Sequence, residues 1–152
     1  MDSSGTTSRG GRDRAGSARV ESVLPDQIAA RSRLQHGGRH LASAELSGID
    51  ADSAYLLAYQ AGLKALDATL SSAGFRVSER GGAHVLRLRE ARRLLGHRHA
   101  DAIDRLDRTR RTRHRVAYEF EEVGDAALRD AIQTARALLE AAGAFVDGQV
   151  GD

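Results

Sequence analysis

The 152-residue chain is long enough for one domain with a sizeable core. Its 23 Lys and Arg against 21 Asp and Glu leave a formal net charge of +2, too small to attract polyanions by itself, so a cationic function has to come from a local cluster. The absence of cysteine excludes disulfides, thiolate zinc sites and cysteine nucleophiles. No apolar run approaches a membrane span and the N-terminus lacks the hydrophobic region of a signal peptide, so no membrane partner and a cytoplasmic location are expected. Alanine and leucine dominate the apolar residues, β-branched residues are sparse and Pro25 is the single proline, a profile that favours an all-α domain.

Residues 1–22 are rich in Ser, Gly, Thr and Arg without apolar periodicity, and read as a disordered tail. A first helix is predicted over about 25–46, opened by Pro25 at a first-turn position and weakened at Gly37-Gly38. The second begins near the acidic capping residues Asp50 or Asp52. It carries Tyr55, Leu56, Ala58, Tyr59, Leu63, Leu66 and Leu70 at helical spacing and stops before Gly74. A connection over 75–82 leads to a third helix over 83–95, ended by Gly96. A fourth helix is expected over about 100–120 and a fifth over about 125–146, followed by a fraying end. Short connections favour antiparallel neighbours, hence an up-and-down bundle of four to five helices.

The fourth helix holds the most informative feature. Six arginines fall within the eleven residues from 105 to 115. The apolar stripe runs Ile103, Leu106, Val116, Ala117 and Phe120, and Arg110 and Arg113 occupy its middle. Arg105, Arg108, Thr112 and Arg115 share a different face, read as solvated or paired with Asp101, Asp104, Asp107 or Glu119. A guanidinium on an apolar face is costly unless it is paired. Either the stems snorkel across the core edge and carboxylates such as Glu119, Glu121 and Glu122 neutralise them, or the heads meet phosphate oxygens, which Arg recognises bidentately. Both alternatives stand at this level.

His114 is the one histidine inside the cluster. A field of cations disfavours its protonated form. Neutral imidazole beside guanidiniums suits metal-independent RNA cleavage: the ring takes the 2′-hydroxyl proton and Arg stabilises the charge developing on phosphate. The competing view is a locally hydrogen-bonded polar residue. His97 and His99 sit in a loop, and His36 and His40 lie four apart on a helix; neither pair has the further ligands of a metal site, and no metal or cofactor is expected. His84, in RGGAH, is placed at the start of the third helix as a capping residue. The SERGG segment lacks the lysine and preceding strand of a phosphate loop.

The run SAYLLAYQAGLKALDATLSSAGFRV, followed by RGGAH and then RRTRHRVAYEF, resembles the HEPN superfamily of small helical bundles. The resemblance covers about residues 25–146 and assigns 23–148 to a HEPN-like helical domain. Arg113-His114 falls where relatives carry an Arg-Asn pair, and Tyr118 where they carry a following aromatic. The resemblance implies a homodimer with facing Arg-polar motifs. It also implies a metal-independent endoribonuclease of the toxin or phage-defence kind, with a nucleotidyltransferase-type antitoxin as partner. The site would comprise His114, Arg113 and Arg108 for catalysis and Arg110, Arg111 and Tyr118 for phosphate or RNA binding.

The family's active pattern is an Arg, a short spacer and a His. Counted from Arg113 that spacer ends at Tyr118, Glu119 or Phe120, and within the Arg-rich segment only Arg108 and His114, with five residues between them, meet it. The alternative is therefore a non-catalytic HEPN-like bundle that binds RNA, a nucleotide or a protein.

Overall fold

A computed structural model of the chain describes residues 16–119 and 122–150. They form an all-α bundle of five helices with one short two-stranded sheet at its edge. In chain order the elements are β1 (Val20–Ser22), α1 (Gln27–Ala44), α2 (Ala51–Ala73), β2 (Phe75–Val77), α3 (Ala83–Leu95), a single 3₁₀ turn (His97–His99), α4 (Ala100–Glu119) and α5 (Asp125–Val150). Phe120 and Glu121 lie outside the described residues, as do 1–15 of the expected tail.

Capping chemistry sets the helix starts. The Asp26 carboxylate accepts from the Ala29 N–H at 2.9 Å and opens α1; the Asp50 carboxylate accepts from the Ser53 N–H at 3.0 Å and opens α2. α2 ends at Gly74, whose φ of +85° is left-handed. A Cβ there would also lie 2.7 Å from the Val23 carbonyl oxygen, so this turn accepts glycine for two reasons.

Shared clusters give the helix directions. Ala30 and Val146 pack with Ala68, Leu41 and Ala135 with Ala61, and Ala44 and Ala131 with Ala54. α1 therefore runs antiparallel to both α2 and α5, which run the same way. On α4, Ile103 and Leu106 join Leu66 and Leu138, whereas Val116 joins Ala54 and Ala131, so α4 also opposes α2 and α5. The four long helices alternate up and down, and the shorter α3 lies across α2 and α4. The central α2 buries an alanine-rich stripe, Ala54, Ala58, Ala61, Ala65 and Ala68, together with Leu66 and Tyr59.

α1 runs unbroken through Gly37-Gly38. A Cβ on Gly37 would meet Leu139 Cδ2 at 2.7 Å and the Ala61 carbonyl at 3.3 Å, so glycine permits close packing among α1, α2 and α5. Gly62 does the same for α2 and α4, where a Cβ would lie 2.5 Å from Leu106 Cδ1.

The expected all-α bundle carries in addition a small sheet, which reaches into the segment expected to be tail. Val20, Glu21 and Ser22 pair antiparallel with Val77, Arg76 and Phe75. The sequence places residues 20–22 in the tail and 75–77 in a plain connection, because three-residue strands are too short to show a period-two pattern. What orders them is tertiary: Ala18, Val20 and Phe75 cover a small cluster of Leu70, Val77 and Ala83. α5 also runs four residues beyond the expected 146, to Val150.

Candidate functional site

α2, α3 and α4 meet around an open cleft of about 410 Å³, within the range of ligand clefts. α4 brings Arg110, Arg113, His114, Ala117 and Tyr118; α3 brings Ala83, His84 and Arg87; α2 brings Tyr59, and the loop before α3 brings Glu79. Four of the six residues singled out by the sequence thus share one cleft. The other two do not. Arg108 lines a different groove with Tyr55, Arg105, Thr112 and Asp130, and Arg111 turns back to Asp107 at 3.3 Å.

Helical geometry explains the separation. At about 100° per residue, six residues place Arg108 and His114 roughly 120° apart around α4. The spacing that matches Arg, spacer and His in the sequence does not put the two side chains in the same cleft.

The buried stripe of α4 is Ile103, Leu106 and Thr109. Thr109 takes the core position after Leu106, its hydroxyl donating to the Arg105 carbonyl at 3.0 Å, and the Tyr55 hydroxyl donates to the Thr109 carbonyl at 3.4 Å. Arg110 is consequently half-buried and Arg113 exposed. Both line the cleft, where the sequence pattern had put them in the middle of the core stripe. The Arg113 guanidinium lies over the Tyr59 ring, 5.5 Å from its centroid. Glu119 and Glu122 are not their partners; Arg110 Nε instead donates to Asp107 Oδ1 at 3.4 Å. Among the described residues Arg113 has no carboxylate partner.

His84 does not cap α3. The cap is Gly82, with no side-chain hydrogen bond, and the imidazole reaches to α4 instead. Its Nε2 lies 3.1 Å from Asp107 Oδ1, with the two side chains 21% and 29% exposed. Burial holds the His84 pKa below its ordinary value, with the charges of Arg110 and Arg87 adding to the effect and Asp107 opposing it. Burial pushes the Asp107 carboxyl up, but hydrogen bonds from His84 and Arg110 and the charges of Arg111 and Arg110 outweigh it and hold the group below its ordinary value. The pair at neutral pH is therefore a neutral imidazole and a carboxylate. A carboxylate only accepts, so Nε2 carries the proton and Nδ1 is left as a bare acceptor.

Arg87 is the most enclosed cation of the cleft, 14% exposed, and is held by Asp67 at 2.8 Å and Glu79 at 2.7 Å. Burial raises the Tyr59 pKa, with Arg113, Arg110 and Arg87 pulling the other way, so its phenol remains a donor at neutral pH. At the rim, the His114 and Tyr118 rings are in contact, centroids 4.6 Å apart and planes tilted by 40°, and Tyr118 is 72% exposed.

Sequence reasoning missed His84, Arg87 and Tyr59 as members of this cleft. The only local signal was His84 and Arg87 three apart on one helix face; Tyr59 was indistinguishable from the core stripe of α2. His36 and His40 stay on α1 and His97 and His99 in the 3₁₀ turn, and no group of three potential ligands that could hold a metal ion occurs among the described residues. No helix among them is long and apolar enough to cross a membrane.

Comparison of the chain with family models, with curated proteins and with solved structures finds no match.

Proposed function

We propose that this chain is a HEPN-like bundle that binds RNA, taking a backbone phosphate into the cleft between α2, α3 and α4. The observation that carries this reading is Arg113. Its guanidinium is positioned over Tyr59 at the cleft, free of any carboxylate among the described residues, so its donors remain available to an oxyanion. Arg110 and Arg87 add positive charge but are already shared with Asp107, Asp67 and Glu79. A site so balanced suits a singly charged phosphodiester better than a polyphosphate. The exposed Tyr118 ring offers a stacking face for an unpaired base beside that phosphate.

The endoribonuclease of the family resemblance remains a proposal with a changed site, because Arg108 lies outside the cleft that holds Arg113 and His114. A homodimer and a nucleotidyltransferase-type partner are likewise proposals that rest on the resemblance; sedimentation of the purified chain tests the first.

RNA binding is tested by titrating a fluorescent single-stranded RNA at several salt concentrations. Neutralising phosphates releases counterions, so affinity should fall steeply as salt rises. Arg113→Ala should weaken binding by on the order of tenfold and reduce the salt slope by about one. Binding that ignores salt contradicts the proposal.

A further inference from the structure

We propose that the edge of α1 carries a second phosphate site, built from Arg33, His36 and His40 together with Ser71 and Lys64 of α2. A single RNA strand held in the cleft runs on to it past Arg87. The proposal rests on the RNA-binding reading and extends it, from one phosphate in the cleft to a strand of several nucleotides with a defined course over α2.

The sequence of α1 sets up the site. Between Asp26 and Glu45 there is no carboxylate, yet the helix carries Arg31, Arg33, His36, Arg39 and His40. Arg31 is taken by Asp147 at 3.4 Å. Arg33, His36 and His40 follow at intervals of three and four, so they lie along one side of the helix. Arg33 is half-buried and donates to the Ser71 hydroxyl on α2. Lys64 of α2 runs alongside, its Cβ 3.2 Å from where a Cβ on Gly37 would stand. Burial lowers the His40 pKa, and the charges of Lys64, His36 and Arg39 lower it further, so these groups surround one another. Among the described residues neither Arg33, Arg39 nor Lys64 has a carboxylate partner. Like charges so arranged repel one another. A phosphate between them removes that repulsion and accepts charge-assisted hydrogen bonds from Arg33 and Lys64.

The site is continuous with the cleft. Glu79 and Arg87 line both the cleft and a neighbouring pocket of about 120 Å³, and Arg33 and Ser71 line that pocket as well. Its acidic groups, Asp67 and Glu79, are both held by Arg87, so neither neutralises Arg33. From Tyr59, under Arg113, to Ser71, beside Arg33, α2 rises about 18 Å. One nucleotide does not span that length, whereas single-strand sites on small domains take about 4–16 nucleotides. Continuity makes the strand already bound in the cleft the occupant of this second site.

The test compares fluorescent single-stranded RNAs of about 4 and about 12 nucleotides, bound to the full chain over a range of salt concentrations. The wild type should bind the longer strand about tenfold or more tightly. Its salt slope should be steeper by about two, as expected when about three further phosphates are neutralised. Both readouts need no variant and so survive if a substitution prevents folding. The double variant Arg33→Ala, Lys64→Ala should lose most of the advantage of length and lower the slope for the longer strand by about one, while holding the shorter strand within about twofold. Arg113→Ala should weaken both strands. A longer strand that binds no more tightly than the shorter one overturns the inference and leaves the cleft reading intact. So does a folded double variant that keeps the wild-type preference for length. If neither strand binds, the inference and the cleft reading fall together.

Discussion

His84 Nε2 lies 3.1 Å from Asp107 Oδ1, joining the first turn of α3 to the middle of α4 across the head of the cleft. The contact settles two matters together. It ties the start of α3 to α4, and it holds the imidazole in one tautomer beside the arginines of α4. Farther along α3, Arg92 pairs with Asp104, so the short helix is tied to α4 at both ends of their contact.

Stability should fall as pH drops below the ordinary imidazole range. The folded pKa values of His84 and His40 both lie below ordinary, the first through burial with Arg110 and Arg87, the second through burial with Lys64, His36 and Arg39. Asp107 opposes the shift at His84 without reversing it. The unfolded chain therefore takes up protons before the folded chain does; the full contribution is present above the ordinary histidine pKa and is lost as pH falls toward the depressed folded values. Urea midpoints at pH 7.5 and about pH 5.5 should show the drop, and His84→Gln should reduce it. Equal midpoints for the wild type would contradict this assignment of charge states.

Two glycines in helices should respond to alanine in opposite directions. At Gly62 the new Cβ would lie 2.5 Å from Cδ1 of the fully buried Leu106, so Gly62→Ala should cost about 1–3 kcal/mol. At Gly143 no atom of the described residues lies within 4 Å of an added Cβ, and Gly143→Ala should gain about 0.5–1 kcal/mol from helix propensity. Thermal unfolding of the two variants is sufficient to compare the signs.

Thr134 is buried, and its hydroxyl has no hydrogen-bond partner among the described residues. Thr134→Val removes an unpaired polar group at nearly constant volume, and should leave stability unchanged or raise it by up to about 1 kcal/mol. A clear loss in denaturant unfolding would mean that the hydroxyl finds a partner in solution.

Truncation locates the boundary of the N-terminal segment. Residues 1–15 have the Ser-, Gly- and Arg-rich composition of a tail without apolar periodicity, so their removal is expected to leave the melting temperature unchanged. Removing 1–22 takes away Ala18, Val20 and the whole of β1, exposing part of the Leu70, Val77 and Ala83 cluster. That deletion should cost about 2 kcal/mol, roughly the value of one buried aliphatic side chain. Identical melting of the two truncations would contradict a structural role for β1.

The long helices were legible in the sequence because their caps and periodicity agree: Asp50 at the start of α2, Gly74 at its end, and alanines and leucines between them. The hairpin was not, since three residues give no period and β1 is ordered by a partner more than fifty positions away. The cleft was half legible. Arg110 and Arg113 stood out because they interrupt an apolar stripe, but the stripe alone could not tell an arginine in the core from one at its edge. The structure places Thr109 in the core and turns both arginines toward the cleft. His84 was hidden for a different reason: its partner Asp107 is on another helix, and no local spacing announces a pairing between helices.

The central claim is that the cleft shared by Arg113 and His84, and not the Arg-rich helix as a whole, takes the phosphate of RNA. The most direct measurement compares RNA affinity of Arg113→Ala with that of Arg108→Ala, which removes the same charge from α4 outside the cleft. Loss on the order of tenfold for Arg113→Ala and about twofold or less for Arg108→Ala is the predicted result. Equal losses for the two variants would mean that RNA reads only the charge of the helix, and would contradict the claim.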